Sequence, residues 1–526
     1  MSGTAGATGT TLARAGMVVT GAYLASRLLG WVRTAVMLAV FGATRDLDAY
    51  WAAFRIPDMI FQLVAAGALS SALIPVLAAL LHEGRRREAW RLISSAVNLM
   101  LIGLVVLAVV FFVAAPWIMP LITERFTPAQ LDLTVRLSRI MLLSPILLGL
   151  GAVATSALNA GNRFAAAALA PVLYNVAIIV AALAGPWLGV TAVAIGVAVG
   201  AFLSLAVQIM PLDALGYRYQ RVVDLADPAT REVIGLVAPR ALGLGATQVT
   251  FIVNTLLATG LGAGLLADYT AAFTAYQIPI GIIGLPLGVV LLPSMSRALA
   301  AGEHATFGWL VTRSLRLLLF ATLFVTAVGM VLRTQVVHLL YGYGNFTPAD
   351  VETTAQALLF FLVGLAGDSL VVILARAFYA DRETRLPVVA AVLAVAVNVV
   401  VSVATVGSLG LRGLALGIAI GAWIEAVLLT VLLARRTTGL ALRRLGLATV
   451  VFAAGSVLAA ATAGWVLGAT GGLFGASPGR LFVLIELVVS TAAGGVVYAG
   501  WCLALRVPEL PDALRLLRSA LRRGPA

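Results

Sequence analysis

The chain has 526 residues, of which 61% are hydrophobic and only 11% are charged, with a net charge of +13 and a mean hydropathy of +1.05. Soluble domains are roughly 45–50% apolar and about 25% charged, so this composition excludes a soluble enzyme, a disordered chain and a collagen-like fibre. It predicts a polytopic membrane protein without a sizeable soluble domain.

Fourteen apolar runs follow one another along the chain, and each is long enough to cross a bilayer, because one spanning helix takes about 20 residues. We therefore expect an all-α integral membrane protein with about 14 transmembrane helices joined by short loops. The runs cover residues 16–41, 47–81, 90–121, 129–157, 163–185, 187–211, 230–260, 265–298, 306–331, 349–379, 386–406, 411–434, 446–469 and 481–505.

All 35 basic residues are Arg, and most of them lie between the apolar runs. If the N-terminus is cytoplasmic, the cytoplasmic loops and tails, with the adjoining ends of the runs, contain 22 Arg, and the opposite loops, counted in the same way, contain 5. Because the cytoplasmic loops of membrane proteins carry the excess of basic residues, this bias predicts that both termini are cytoplasmic. Arginines placed in this way are topology signals, so we expect no nucleic-acid partner.

The sequence contains an internal repeat with an offset of about 220 residues. Residues 125–129 (RFTPA) are echoed by residues 345–349 (NFTPA), and the surroundings of Asp48 are echoed around Asp268. Each copy holds six apolar runs, so both copies enter the membrane from the same side, as in transporters with parallel repeats.

The repeat predicts two pseudo-symmetric six-helix lobes around a central cavity, at residues 16–222 and 223–437. Residues 438–505 add a further pair of helices. We expect the tails, residues 1–15 and 506–526, to be cytoplasmic, with the second forming a basic amphipathic helix on the anionic leaflet. Two such lobes favour alternating access, in which one lobe rocks against the other.

Several charged residues fall inside the first two runs. Arg27 and Arg33 lie on the first, while Asp48 opens the second and is followed by Arg55 and Asp58. Ionisable residues in a bilayer are costly and usually functional, and arginine is suited to binding phosphate through paired hydrogen bonds. The pattern predicts a cavity for an anionic substrate such as a phosphate or diphosphate. Structural ion pairs, Arg27–Asp48 or Arg55–Asp58, are the alternative.

Other polar residues inside the runs are weaker indications. Arg240 is the repeat counterpart of Arg27 and is a candidate for the cavity lining. Asn175 is a second candidate, although hydrogen bonding between helices is an equally ordinary role for it. Asp368 is a candidate proton or cation site, or else a structural partner of Arg316.

Familiar catalytic motifs are absent. Without lysine the chain has no GxxxxGK[ST] loop, and it also lacks HExxH, CxxC and GxSxG. The single cysteine, Cys502, excludes an intrachain disulfide and a cysteine-based metal cluster. We therefore expect a transporter rather than an enzyme, with no cofactor and no bound metal.

Several segments resemble the MurJ/MviN family of the multidrug/oligosaccharidyl-lipid/polysaccharide exporter superfamily. They are similar to the family's patterns S-R-x-L-G-x-x-R, F-G-A, T-D-A, F-x-x-P-N (with Asp58 in place of the Asn), E-G-A followed by P, and A-F-Y-A-x-x-D-T-x-x-P. The segments that carry the resemblance are 26–33 (SRLLGWVR), 41–43 (FGA), 48–50 (DAY), 54–58 (FRIPD), 65–75 (AAGALSSALIP), 291–296 (LLPSMS) and 377–387 (AFYADRETRLP).

The resemblance implies a flippase that moves lipid II, the undecaprenyl-diphosphate-linked precursor of peptidoglycan, across the bacterial inner membrane. It implies that Arg27, Arg33 and Asp48 are functionally important. We predict that Arg27 and Arg33 bind the diphosphate headgroup, together with Arg55. Asp48 and Asp58 would then shape a gate or serve as charge partners. The last two spans would form a groove for the lipid tail. Cell-wall synthesis proteins are candidate partners, and a cation or the membrane potential is the candidate driving force.

The chain also departs from the family pattern. Phe61 and Gln62 stand where many members have further arginines, Ala66 replaces the Glu of E-G-A, and Thr274 falls on an arginine of the eighth span. Gln62 and Thr274 therefore become secondary cavity candidates. Glu383 replaces the Asp of D-T-x-x-P and joins Asp368 as a candidate cation or proton site.

Three other functions remain open on the sequence. The chain could flip another undecaprenyl-diphosphate-linked glycan, such as O-antigen, teichoic acid or exopolysaccharide. It could be a cation-coupled drug exporter, although such exporters usually have twelve spans and an acidic cavity. It could also be a scaffold for the cell-wall machinery that transports nothing, in which case loss of Arg27 and Arg33 would be tolerated.

Overall fold

The computed structural model describes residues 4–64, 68–471, 479–512 and 515. For some helical residues only the backbone is described, namely 4–20, 23, 24, 64, 68–72, 236–244, 246, 285, 286, 289, 290 and 471. All regular secondary structure in the described part is helical, which confirms the all-α fold.

The helices of the N-terminal half are α1 (Thr4–Phe41), α2 (Arg45–Val64), α3 (Ala68–His82), α4 (Arg86–Ile122), α5 (Pro128–Met141), α6 (Leu143–Ala160), α7 (Phe164–Leu183), α8 (Gly185–Leu188), α9 (Val190–Ala214) and α10 (Pro228–Leu261). Those of the C-terminal half are α11 (Leu265–Pro279), a π-helical turn (Ile280–Gly284), α12 (Leu285–Ala300), α13 (His304–Val331), α14 (Arg333–Tyr341), α15 (Pro348–Ala380), α16 (Arg385–Leu409), α17 (Leu411–Arg436), α18 (Leu442–Gly471) and α19 (Arg480–Ala504).

Ten helical segments among the described residues are long and apolar enough to cross a membrane, namely α4, α5 with α6, α7, α9, α13 and α15 to α19. The other four predicted runs fall on α1, on α2 with α3, on α10, and on α11 with α12. Each of these four includes side chains outside the described residues. Every predicted run is helical where it is described, and the protein is a multi-span membrane protein.

The chain divides into two compact units. The first comprises residues 1–267 with 344–346. Its apolar core forms where α2, α3 and α4 pack together through buried side chains such as Ile60, Leu77 and Leu104. This packing positions the charged residues of α2.

The second unit comprises residues 268–343 and 347–526. Its core joins α13, α15 and α18 through Phe307, Phe378 and Phe452, which are each at most 1% exposed. These two units are defined by which residues pack together, whereas the predicted six-helix lobes are defined by the sequence repeat. The lobe bounds stay a prediction.

The segment after α19 packs against α13. The Nε atom of Arg316 lies 2.6 Å from a carboxylate oxygen of Glu509, and an Nη atom of Arg313 lies 2.6 Å from one of Asp512. These ion pairs fix the start of the C-terminal tail on the second unit. Of residues 513–526 only Arg515 is described, so a helix on the leaflet stays a prediction.

The repeat is visible in how helices begin. The Thr127 hydroxyl accepts a hydrogen bond from the Gln130 amide at the start of α5, and the Gln130 side chain accepts one from the Thr127 amide. Thr347 and Asp350 form the same reciprocal cap at the start of α15. Threonine followed by proline is a strong helix start, because the hydroxyl satisfies a free amide and proline needs no partner there.

Closely packed helix pairs recur in both units. A Cβ atom at Gly200 of α9 would lie 2.8 Å from the Tyr174 carbonyl oxygen of α7, and one at Gly421 of α17 would lie 2.8 Å from the Ala394 carbonyl oxygen of α16. Each of these glycines has another glycine four residues earlier. Small residues at this spacing let helix backbones approach each other in a membrane.

We predict that removing either repeated cap destabilises the protein. Thr127→Ala and Thr347→Ala should each lower the free energy of unfolding by about 1 kcal/mol, because each leaves a helix amide without its partner. Thermal unfolding of the purified proteins in detergent measures the effect. Thr353→Ala is the control, since that exposed hydroxyl bonds only to its own helix. Equal midpoints for all three variants would contradict the role of the caps.

Candidate functional site

Charged and polar residues of α1 and α2 meet inside the first unit. The Asp58 carboxyl is hydrogen-bonded to the Gln62 side chain, one turn further along α2. Arg55 and Arg33 both lie near enough to Asp58 to interact with it electrostatically. The structure thus brings together four of the residues that the sequence singled out, and we call them the arginine cluster.

Arg33 is the partly buried member of the arginine cluster on α1. Its guanidinium interacts electrostatically with the hydroxyls of Tyr50 on α2 and Tyr174 on α7. Its Nε atom is buried and has no hydrogen-bond partner among the described residues. A buried donor on a cation without a partner is costly, so this nitrogen is suited to receive an anionic acceptor.

Arg55 is held by α10. Its Nε atom donates a hydrogen bond of 2.9 Å to the Thr255 hydroxyl, and its guanidinium lies 5.3 Å from the centre of the Phe251 ring. Sequence reasoning missed both partners, as it missed Tyr174. No local pattern marks them, since their roles arise only when distant helices pack together.

Arg27 is an exposed residue of α1, six positions before Arg33 and therefore about 9 Å further along the helix axis. The described geometry does not bring it to Asp58. Its predicted contact with the headgroup stays a prediction.

Asp48 is fully buried as the fourth residue of α2. Its two carboxyl oxygens accept hydrogen bonds from the backbone amides of Gly264, at 2.5 Å, and Ala267, at 2.9 Å. These amides lie at the start of α11, where helix amides are unsatisfied and the helix dipole is positive. Asp48 thus caps a helix more than 200 residues away in the chain.

The repeat counterpart of Asp48 occupies the same position in the second unit. Asp268 is the fourth residue of α11, is 2% exposed and accepts a hydrogen bond of 3.2 Å from the Thr354 hydroxyl of α15. The two acids therefore share a structural role, which is to join the start of one helix to another element.

Asp368 of α15 is the main acidic candidate in the second unit. It accepts a hydrogen bond of 2.5 Å from the Tyr276 hydroxyl, and Glu425 of α17 interacts with it electrostatically. Thr274, one of the secondary cavity candidates, donates its hydroxyl hydrogen to the Thr270 carbonyl of its own helix. A cation or proton site at Asp368 stays a prediction.

Glu383 lies in the loop between α15 and α16. One carboxylate oxygen accepts a hydrogen bond from the Arg385 amide at 2.8 Å, and the other lies 3.0 Å from an Arg436 guanidinium nitrogen. The amide and the guanidinium lower the pKa of Glu383 below its ordinary value. Its charge at neutral pH already has local partners, and its predicted cation-binding role stays a prediction.

Two further cavity candidates, Asn175 and Arg240, and one departure from the family pattern, Ala66, are residues of the first unit. The Asn175 amide donates to the carbonyls of Pro171, at 3.0 Å, and Ser26, at 3.4 Å, and so joins α7 to α1. Arg240 lies on α10, but its side chain is outside the described residues. Ala66 is outside them as well.

Comparisons with known proteins agree on one family. The family model "Lipid II flippase MurJ" matches residues 37–479. A probable lipid II flippase MurJ of Rhizobium meliloti is 31% identical over 421 residues, covering 78% of each chain. A lipid II flippase MurJ of Burkholderia cenocepacia is 30% identical over 436 residues, covering 81% of this chain and 84% of that protein.

Solved structures show the same fold. A lipid II flippase MurJ in an inward closed conformation matches with a TM-score of 0.78 at 20% identity, covering 93% of this chain and 99% of that chain. An inward-facing multidrug resistance transporter of the MATE family matches with a TM-score of 0.63 at 17% identity, covering 80% and 95%. At these identities the likeness concerns the fold, which by itself does not determine function.

We predict that Asp48 acts mainly through stability. Asp48→Ala should lower the free energy of unfolding by about 1–3 kcal/mol, because it leaves two buried amides without their acceptor. Asp48→Asn should cost less, since the amide oxygen can still accept one hydrogen bond. Thermal unfolding in detergent measures both effects. Asp46→Ala is the control, because Asp46 is exposed in the same turn; an equal loss in that variant would contradict the cap.

Proposed function

The chain belongs to the family of the lipid II flippase MurJ, and we propose that it moves lipid II from the inner to the outer leaflet of the bacterial inner membrane by alternating access. A flippase performs no covalent chemistry, so the requirement is a site that binds the charged headgroup during its passage. The arginine cluster is our candidate for that site.

The observation that carries the proposal is the unpartnered Nε atom of Arg33. Lipid II contains a diphosphate, whose oxygens are strong hydrogen-bond acceptors. Arginine can bind such a group through two parallel hydrogen bonds and keeps its charge throughout. An anion at Arg33 would satisfy the free donor and compensate for the cost of removing both charges from water.

Asp58 gives the arginine cluster a way to release its substrate. In the described structure its carboxyl interacts with Arg33 and Arg55. A diphosphate at these arginines would compete with Asp58, which limits how tightly the substrate is held. Binding changes the conformational equilibrium only by the difference between the affinities of the two states, so moderate binding is compatible with transport.

We also propose the orientation given by the arginine bias, with both termini cytoplasmic. In that orientation the turn between α3 and α4 and the first residues of α4, with the run of arginines at 85–87, face the cytoplasm. Lipid II would enter from the cytoplasmic leaflet, where it is synthesised, and leave for the enzymes that polymerise it outside.

We predict that Arg33→Ala strongly reduces transport while expression is retained. The loss should be roughly 30-fold or more, since removing a buried charged contact costs on the order of 2 kcal/mol. Arg33→Lys should retain a minor part, because lysine keeps the charge but lacks the planar fork. The measurement is complementation of a bacterium depleted of its lipid II flippase, with an assay for lipid II on the outer leaflet.

Arg87→Ala is the matched control, because Arg87 is an exposed residue in the first turn of α4 and is not a member of the arginine cluster. Full translocation by Arg33→Ala would show that the headgroup does not bind there. Normal expression of the unmodified chain without any rescue would contradict lipid II as the substrate. Transport of another undecaprenyl-diphosphate-linked glycan could then be measured with the same variants.

A further inference from the structure

A groove of about 720 Å³ lies on the first unit, between the end of α4 and one side of α5. Pro116 and Pro120 form its α4 side, and Asp132, Arg136 and Arg139 line it from α5. None of these residues belongs to the arginine cluster. The groove is therefore a separate feature that the proposed transport step does not use.

The position of Arg139 follows from a proline. Pro116 has no amide hydrogen, so the carbonyl of Phe112, four residues earlier, loses its usual partner in the helix. The Nε atom of Arg139 donates a hydrogen bond of 3.0 Å to that carbonyl, and the guanidinium lies 4.7 Å from the Phe112 ring centre. The proline, the carbonyl and the ring together hold a cation at the wall of the groove.

Arg136 is the second cation of the groove, one turn before Arg139 on α5. It is exposed and makes no hydrogen bond or ion pair within the described part of the chain. Asp132 is the one acid among the lining residues, so the lining has a net positive charge. The charge is complementary to an anion that can approach from outside the protein.

The depth of the groove follows from the length of α4. Arg91 belongs to the arginine-rich end of this helix, and Phe112 lies 21 residues further on, or about 32 Å along the axis. The hydrocarbon core of a bilayer is about 30 Å thick. Trp117, five residues after Phe112, is 68% exposed. Tryptophan is enriched at the membrane surface, so its position agrees with this depth. The groove thus lies at headgroup level on the side opposite to the arginine-rich loop.

The surface of α4 below the groove is apolar and uncovered. Its exposed side chains include Val106, Val109, Val110, Phe112 and Val113, which are each between 47% and 56% exposed. A cationic groove at headgroup level above an apolar face matches the two parts of an anionic phospholipid.

We propose that this groove binds an anionic phospholipid, which in the orientation proposed above belongs to the outer leaflet. The lipid phosphate would lie at Arg136 and Arg139, and the acyl chains would lie along the exposed face of α4. Arg139 already uses its Nε atom to bind Phe112, so its Nη atoms would contact the phosphate. Arg136 would turn its exposed side chain to the same group.

The experiment measures lipid binding by the purified full-length protein. Protein in neutral detergent is given equal amounts of phosphatidylglycerol and phosphatidylcholine, and the bound lipids are counted by native mass spectrometry. We expect the protein to bind phosphatidylglycerol in preference to phosphatidylcholine. Arg136→Gln should weaken the binding of phosphatidylglycerol about fivefold, because one basic residue at an anionic surface contributes about 1 kcal/mol. Arg125→Gln, an exposed arginine of the preceding loop, is the matched control and should bind like the unmodified protein.

A second measurement locates the lipid. Phosphatidylglycerol with brominated acyl chains should quench the fluorescence of Trp117. The fluorescence of Trp117 is obtained as the difference between the unmodified protein and Trp117→Phe. Arg136→Gln should reduce this quenching, and Arg139→Gln should reduce it further. Equal binding of both lipids, equal losses in Arg136→Gln and Arg125→Gln, or Trp117 quenching that Arg136→Gln leaves unchanged would overturn the proposal. None of these readouts depends on transport.

Discussion

Inside a bilayer every backbone polar group needs a partner, since an unsatisfied group in hydrocarbon costs several kcal/mol. This constraint explains why the described chain is built from helices, and it also explains what happens where a helix starts or contains a proline. The starts of α5 and α15 are closed by the side chains of Thr127 and Thr347. The start of α11 is closed by Asp48 from another helix. These three helix starts are thus closed by particular side chains, and at α11 the side chain comes from another helix.

Charged side chains in a bilayer need partners for the same reason. Several charges in the second unit lie in ion pairs, such as Arg316 with Glu509 and Arg436 with Glu383. In the arginine cluster, Arg33 keeps a buried nitrogen without a hydrogen-bond partner among the described residues, as Arg333 does in the second unit, and it lies beside Asp58, with which Arg55 also interacts. A protein that only needed stability would have little reason to retain such a group. A protein that binds and releases an anion inside the membrane needs a site whose charges are incompletely compensated.

A proline in α4 leaves another backbone group that needs a partner, in this case at the protein surface. Pro116 frees a carbonyl of α4, and Arg139 reaches across from α5 to bind it. The arginine is then fixed at the surface, where lipid headgroups are its natural partners. A break in one helix therefore places a cation that belongs to another. The first unit therefore has two groups of arginines, the arginine cluster among its helices and the pair Arg136 and Arg139 along the surface groove.

The sequence by itself determined the fold class, the positions of the apolar runs, the repeat and the concentration of charge in the first two spans. These properties follow from composition and from neighbours close in the chain, such as the Thr-Pro pairs that start α5 and α15. It also singled out Arg33, Arg55, Asp58 and Gln62, which the structure brings together. Only the tertiary structure decided which residues meet. Asp48 looked like a partner for an arginine, but its oxygens bind amides of α11. Thr255 and Phe251 carry no signal until α10 packs against Arg55. Such contacts join residues about 200 positions apart, and local patterns cannot report them because they depend on how the helices pack.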